Sequence, residues 1–172
     1  ATLFLKDQSR LIYQNALRHL KGTGVPKDEA KAIQLIQKAA DLDHAVAQSH
    51  LGDLYAIGTD LAKKGAATAT GHEPATEGNE AAAVRWYRKA AEQGHADGQV
   101  RLGLMLEYGR GEEQDEAMAV KWYTKAAEQG HAVGQVNLGL MYEYGRGVEQ
   151  SDAAAVEWFG KAAAQGHAGG QV

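Results

Sequence analysis

The 172-residue chain contains no cysteine, which removes disulfides, thiolate zinc sites and a cysteine nucleophile together. No apolar run approaches the roughly 20 residues that cross a bilayer, and no signal-peptide pattern is present, so no membrane insertion is expected. Basic charge is not in excess: 18 Lys and Arg stand against 22 Asp and Glu. They are scattered, so the chain lacks the electrostatic footprint of a nucleic-acid binder. Serine occurs at Ser9, Ser49 and Ser151 alone, none in a nucleophile-elbow context, and neither an HExxH pair nor a Walker-type loop occurs. What is present, 44% hydrophobic and 23% charged residues, is the composition of a folded protein.

The chain repeats itself. Residues 86–121 and 122–157 match at 27 of 36 positions without a gap, and a third copy opens at Trp158, so Trp86, Trp122 and Trp158 stand one period apart. A fixed period of about 20 to 50 residues marks a stacked repeat architecture, each unit burying its apolar face against the next.

Each unit reads as two helices. In the second helix Ala119, Trp122, Tyr123, Ala126 and Ala127 follow the i, i+3, i+4, i+7, i+8 stripe of an amphipathic helix, repeated from Ala83 and from Ala155. Gly130 with His131 ends the run. In the first helix Gly98, Leu102, Gly103 and Leu106 share a side, followed by the breaker Gly109-Arg110-Gly111. A helix-interior glycine costs about 1 kcal/mol relative to alanine. Gly103 and Gly139 are therefore expected to mark tight packing, with the Ala-Ala pairs of the second helices as partners.

Residues 32–58 keep the register, with aliphatics in place of the aromatic pair, and residues 22–33 align with 145–156 as a more divergent N-terminal unit. Its first helix is predicted over about 7–20. The expected boundaries are 7–41, 42–92, 93–128 and 129–165 within one domain, with a further repeat starting at 166–172. The chain opens at Ala1 and breaks off inside that repeat, as expected of a processed or truncated product. His44 and His95 are 51 residues apart instead of 36, so the second unit carries a 15-residue insertion within 59–80. This Ala, Thr and Gly-rich stretch is read as a surface loop, either a specificity element or a tolerated extension.

Residues 132–148 and 121–131 resemble the Sel1-like repeat, a relative of the tetratricopeptide repeat. Departures are the insertion, the absence of Gly-x-Gly after Gly58, and Leu106 where the other copy has Tyr142. The resemblance implies an all-α, right-handed α/α solenoid of about four helix-turn-helix repeats whose first helices line a concave face. It also implies a non-catalytic adaptor or inhibitor that binds a protein. Similar bacterial proteins are often periplasmic or secreted, and some are immunity proteins neutralising type VI secretion lipases. Others are cysteine-rich proteins linked to β-lactam or peptidoglycan binding. The expectation is therefore a protein partner, as an immunity protein in the periplasm or outside the cell. The alternatives are a β-lactam or peptidoglycan-directed protein, and a cytoplasmic location.

The histidine ladder His44, His95, His131 and His167 invites a metal reading. Packed helices about 8 to 10 Å apart do not bring such rings to one zinc, so a structural role in the inter-repeat turn is expected, with no metal and no cofactor. Glu107 and Glu143 recur once per unit, which makes them poor candidates for an acid-base pair. The informative positions are those where the best copies differ: Asp97 against Val133 and Arg101 against Asn137. With Leu104, Tyr108, Leu140 and Tyr144, and Val46, His50, Asp53 and Ile57 earlier, they fall on the side opposite Gly98 and Leu102. These twelve residues are the candidate partner-binding face, an exposed stripe of this kind marking protein interfaces. The competing reading is that neighbouring repeats bury Leu104 and Tyr108 sideways.

Overall fold

The computed structural model describes residues 2–58 and 79–166. Among them are eight helices and no strand: α1 Thr2–Lys21, α2 Glu29–Asp41, α3 Ala45–Ile57, α4 Glu80–Glu92, α5 Ala96–Tyr108, α6 Glu116–Glu128, α7 Ala132–Tyr144 and α8 Asp152–Ala164. Most of the 59–80 insertion, the fourth ladder residue His167 and the rest of the last repeat lie outside the described residues. Helix α1 starts at Thr2 rather than near residue 7, because the intervening Leu, Phe and Lys include no breaker. The chain divides into two compact units, Ala1–Ala90 and Ala91–Val172.

Within each unit, successive helices pack as antiparallel hairpins. In the first, α2 lies against both α1 and α3; in the second, α6 lies against α5 and α7, and α7 against α8. The α6 stripe is buried throughout, with Tyr123 at 0% exposure, and so is the equivalent stripe of α4. On α8 the same pattern is covered less: Ala155 and Ala162 are buried, while Trp158 and Phe159 are half-buried. On the outer side of each of these helices a lysine three residues after the tryptophan sits over its ring, with Nζ 4.4, 4.2 and 3.9 Å from the centroids of Trp86, Trp122 and Trp158. Such pairs contribute about 0.5–1 kcal/mol at exposed sites.

The helix-interior glycines are packing devices, but their partners are the aromatic rings. A Cβ on Gly103 would lie 2.5 Å from Tyr123 Cε1, on Gly52 2.5 Å from Tyr87 Cε1, and on Gly139 2.6 Å from Phe159 Cε1. The expected Ala-Ala partner instead meets a glycine of the first helical turn: a Cβ on Gly134 would come within 2.9 Å of Ala126 Cβ. A ring set against a bare backbone brings two helices together and buries far more apolar area than two methyl groups.

The helix ends follow two rules. First helices of the repeats end in left-handed glycines, Gly58, Gly109 and Gly145 with φ of 66, 61 and 62°, a conformation that glycine adopts without steric cost. Second helices begin with short polar caps: Asp28, Asn79, Asp115 and Ser151 each accept from the N–H three residues on.

Replacing Gly103 by alanine puts a methyl carbon 2.5 Å from Tyr123 Cε1, closer than van der Waals contact allows. The expected outcome is a net loss of about 1–3 kcal/mol in urea unfolding despite the gain in helix propensity. Gly160 on α8 has nothing within 4 Å of its virtual Cβ, and Gly160→Ala is expected to stabilise by up to about 1 kcal/mol. Equal effects at the two sites would contradict the ring-on-backbone account.

Candidate functional site

The first helices α3, α5 and α7 each start on a histidine. Nδ1 of His44, His95 and His131 accepts from the backbone N–H of Ala47, Gly98 and Gly134 at 3.1, 3.1 and 3.2 Å. An accepting Nδ1 places the proton on Nε2, so each ring is neutral and its outward nitrogen is a donor. In the second unit that donor is used: His131 Nε2 stands 2.9 Å from Asp97 Oδ1, with His95 Nε2 3.9 Å from the other oxygen. This gives the ladder its role as an N-cap series, one ring also tying α7 to α5. Among the described residues no group of three His, Asp or Glu is placed to hold a metal ion.

The other ends of α5 and α7 are tied by ions. Glu107, 4% exposed, accepts from the Tyr123 hydroxyl at 2.6 Å and pairs with Arg146 Nη2 at 2.5 Å. Arg146 also hydrogen-bonds the Tyr108 side chain. Burial, then the hydrogen bond to Glu107, pushes the Tyr123 hydroxyl pKa well up. Burial opposes the Arg146 charge, but the Glu107 carboxylate outweighs it and raises the guanidinium pKa. Periodicity made Glu107 and Glu143 look equivalent; their surroundings differ, because Phe159 stands where Tyr123 stands and offers no hydroxyl.

A third tie runs through glutamines that the repeat pattern did not single out. Buried Gln48, Gln99 and Gln135 donate to the carbonyls of Ala40, Ala91 and Ala127 at 3.1, 3.2 and 3.2 Å, satisfying the ends of the preceding helices. Gln99 and Gln135 in turn accept from Gln129 and Gln165 at 2.7 and 2.8 Å. The signal was a repeated Gln at a position whose neighbours are all apolar or small.

The structure distributes the twelve candidate residues unevenly. In the first unit Val46 and Ile57 are exposed, but His50 and Asp53 are engaged inside the unit. His50 Nδ1 lies 3.3 Å from the Tyr13 hydroxyl, and Asp53 accepts from the Tyr87 hydroxyl at 2.7 Å. In the second unit Asp97 and Arg101 are exposed, Leu104 is half-buried and Tyr108 exposed on α5; Val133 is exposed, Asn137 and Leu140 half-buried and Tyr144 exposed on α7. The tyrosines stand out, at 60 and 64% exposure. The two helices touch directly, so these eight residues form one face, closed at one end by Asp97–His131 and at the other by Tyr108–Arg146–Glu107.

The Sel1 repeat model matches residues 13–44, 45–95, 96–131 and 132–167. The chain belongs to the Sel1 repeat family. Its fold class is therefore the all-α, tetratricopeptide-like α/α solenoid of four helix-turn-helix repeats. It is similar in structure to a protective antigen of uropathogenic Escherichia coli strains displaying an SLR fold, at 37% identity and TM-score 0.79 over 95% of this chain and 32% of that one. It is also similar to a Sel1 repeat protein from Oxalobacter formigenes, at 28% identity and TM-score 0.75, covering 92% and 57% of the two chains. An immunity protein from Pseudomonas aeruginosa shares the fold at 21% identity and TM-score 0.55, covering 92% and 53%. The chain thus spans about a third and somewhat over half of the first two proteins. No curated protein matches it. Sel1 repeats are protein-interaction scaffolds and typically non-catalytic.

Two outcomes test these ties. Burial lowers the His95 pKa, against the opposing Asp97 and with help from His131; burial likewise lowers that of His50, against Asp53. A folded-state value below the unfolded one, about 6.5, means the contribution is complete above that pH and is lost as pH falls through the folded value. Stability from urea unfolding is expected to drop between about pH 7 and pH 5. In His95→Asn, which caps without titrating, the drop should be smaller. Arg146→Met strands the buried Glu107 and is expected to cost on the order of 3 kcal/mol, whereas Tyr123→Phe costs about 1–2. Equal costs would mean Arg146 is a solvated surface ion.

Proposed function

We propose that this chain is a non-catalytic protein-binding module whose interaction face is formed by the free sides of α5 and α7. The observation that carries this is the pair of exposed tyrosines, Tyr108 and Tyr144, aligned on touching helices beside Leu104 and Leu140. Tyrosine offers a large, stiff contact surface with a polar tip, the side-chain type most enriched where binding energy concentrates. Rigidity supports the reading: histidine–carboxylate and arginine–carboxylate ties hold the helices in register, so little ordering cost is left for binding. In its finer form, the module is an inhibitor or adaptor of the immunity type, neutralising a secreted effector in the periplasm or outside the cell. Family resemblance supports that step.

The test is affinity capture with the purified chain and with a Tyr108→Glu, Tyr144→Glu variant of unchanged helicity. One partner protein is expected to bind the original, with at least about thirtyfold weaker binding to the variant, the loss of even one anchor being worth about 2 kcal/mol. A partner held equally by both would move the interface off this face. Fractionation of the source cells checks the compartment, a cytoplasmic pool contradicting the finer reading.

A further inference from the structure

Among the first helices of the repeats, α1 departs from the pattern in what it shows to solvent. Counting back eleven residues from the left-handed glycines Gly58, Gly109 and Gly145 reaches Ala47, Gly98 and Gly134, all buried; the same count from Gly22 reaches Leu11, 65% exposed. The next position is Gln48, Gln99 and Gln135, the amides that satisfy the preceding helix end. In α1 it is Ile12. The small residue and the amide that join a first helix to a preceding second helix are thus both replaced. The free side of α1 is not shaped to receive another helix of the repeat.

Charge distinguishes the same side. The chain is net negative at -4 with its basic residues scattered, yet α1 carries Lys6, Arg10, Arg18 and Lys21 against Asp7 alone, all of them exposed. Arg18 is steadied by the Thr23 carbonyl, to which its Nε donates at 3.3 Å, and keeps its charge. Ser9, Ala16 and His19 mark the buried side. At about 100° per residue, Arg10, Gln14, Arg18 and Lys21 run along the middle of the opposite side, with Phe4 and Leu11 along one edge and Lys6 along the other. Phe4 is 73% exposed, so two large apolar side chains, two turns apart, border a basic band. Cations beside a narrow apolar edge characterise a helix that lies in a membrane interface. The apolar tips enter the boundary of the acyl chains, and the lysine and arginine stems reach sideways to the headgroups. The basic residues extend over about 22 Å of helix. A fluid layer of anionic headgroups adapts to charges spread so widely, whereas a folded acidic partner would need its carboxylates fixed in the same order.

We infer that the free side of α1 docks the protein on an anionic membrane surface, Phe4 and Leu11 entering the interface while Lys6, Arg10, Arg18 and Lys21 pair with acidic headgroups. No helix among the described residues is long and apolar enough to cross a membrane, and the contact inferred is with the surface. It shares no residue with the α5–α7 face and does not depend on the reading of that face.

The experiment is sedimentation of the full chain with vesicles of phosphatidylcholine alone and of phosphatidylcholine mixed with phosphatidylglycerol, at low and at physiological salt. Three variants are compared, each checked for unchanged helicity: Arg10→Glu with Lys21→Glu, Phe4→Ser with Leu11→Ser, and Asp7→Asn. Binding to the mixed vesicles only, weakening as salt rises, is the expected result. Each basic residue near an anionic leaflet is worth about fivefold, so the charge reversals should weaken binding at least about twentyfold and Asp7→Asn should strengthen it. Losing the apolar pair should weaken it at least about tenfold. Absence of sedimentation with the mixed vesicles overturns the inference. So does binding that survives the charge reversals, which would place the contact elsewhere on the molecule. Binding weakened by the charge reversals but indifferent to Phe4→Ser with Leu11→Ser would make this a basic face for a soluble acidic macromolecule, and would overturn the membrane as its occupant.

Discussion

An aromatic ring lying on a helix backbone sets the spacing from which the other contacts of each repeat follow. Tyr87 on Gly52, Tyr123 on Gly103 and Phe159 on Gly139 fix how near one helix comes to the next. Only at that spacing can the Tyr123 hydroxyl reach Glu107 and the Tyr87 hydroxyl reach Asp53. The glycine loses helix propensity and the ring gains burial; the second term is the larger by a factor of two or more. Because the contact combines a fixed helix position with a rigid side chain, it specifies register as well as distance, which a pair of methyl groups would not do.

The polar ties use that spacing in three chemically different ways. Histidine caps work through a neutral ring, glutamine caps through an uncharged amide, and Glu107–Arg146 through full charges. Each closes a problem created by the helices themselves: unsatisfied N–H groups where the first helices begin, unsatisfied carbonyls where the second helices end, and a buried carboxylate in the last turn of α5. Tyr108 and Tyr144 stand exposed on the same helices, beside these ties.

Much of this was legible in the sequence, and the limits are physical. The period from Trp86 to Trp122, the stripe around Tyr123 and the breakers at Gly109 and Gly130 specify helices and their order, because periodicity reports which side of a helix is apolar. The exposed side of α5 and α7 follows from the same arithmetic. Periodicity does not report which neighbour fills a gap, so the partner of Gly103 was read as an alanine pair when it is a ring. It does not report tautomers, so the histidines could be placed in a turn but not recognised as caps. It also treats like positions as alike: His50 and Asp53 sit on the candidate face by register, yet are drawn inward by Tyr13 and Tyr87. Glu107 and Glu143 differ for the same reason.

The glutamine series has a consequence for the environment in which the fold can operate. Gln129 to Gln99 and Gln165 to Gln135 are neutral hydrogen bonds, each continued by a bond to a helix-end carbonyl. Dissolved ions screen attraction between charges over about 8 Å at physiological ionic strength but leave bonds between uncharged amides largely untouched, and here the accepting amides of Gln99 and Gln135 are buried. The joints between neighbouring repeats of the second unit therefore keep their alignment over a wide range of salt, while an exposed ion pair such as Lys161–Glu157 weakens. Such a protein retains its backbone geometry across changing salinity and lets only the electrostatic fine adjustment of its surface vary.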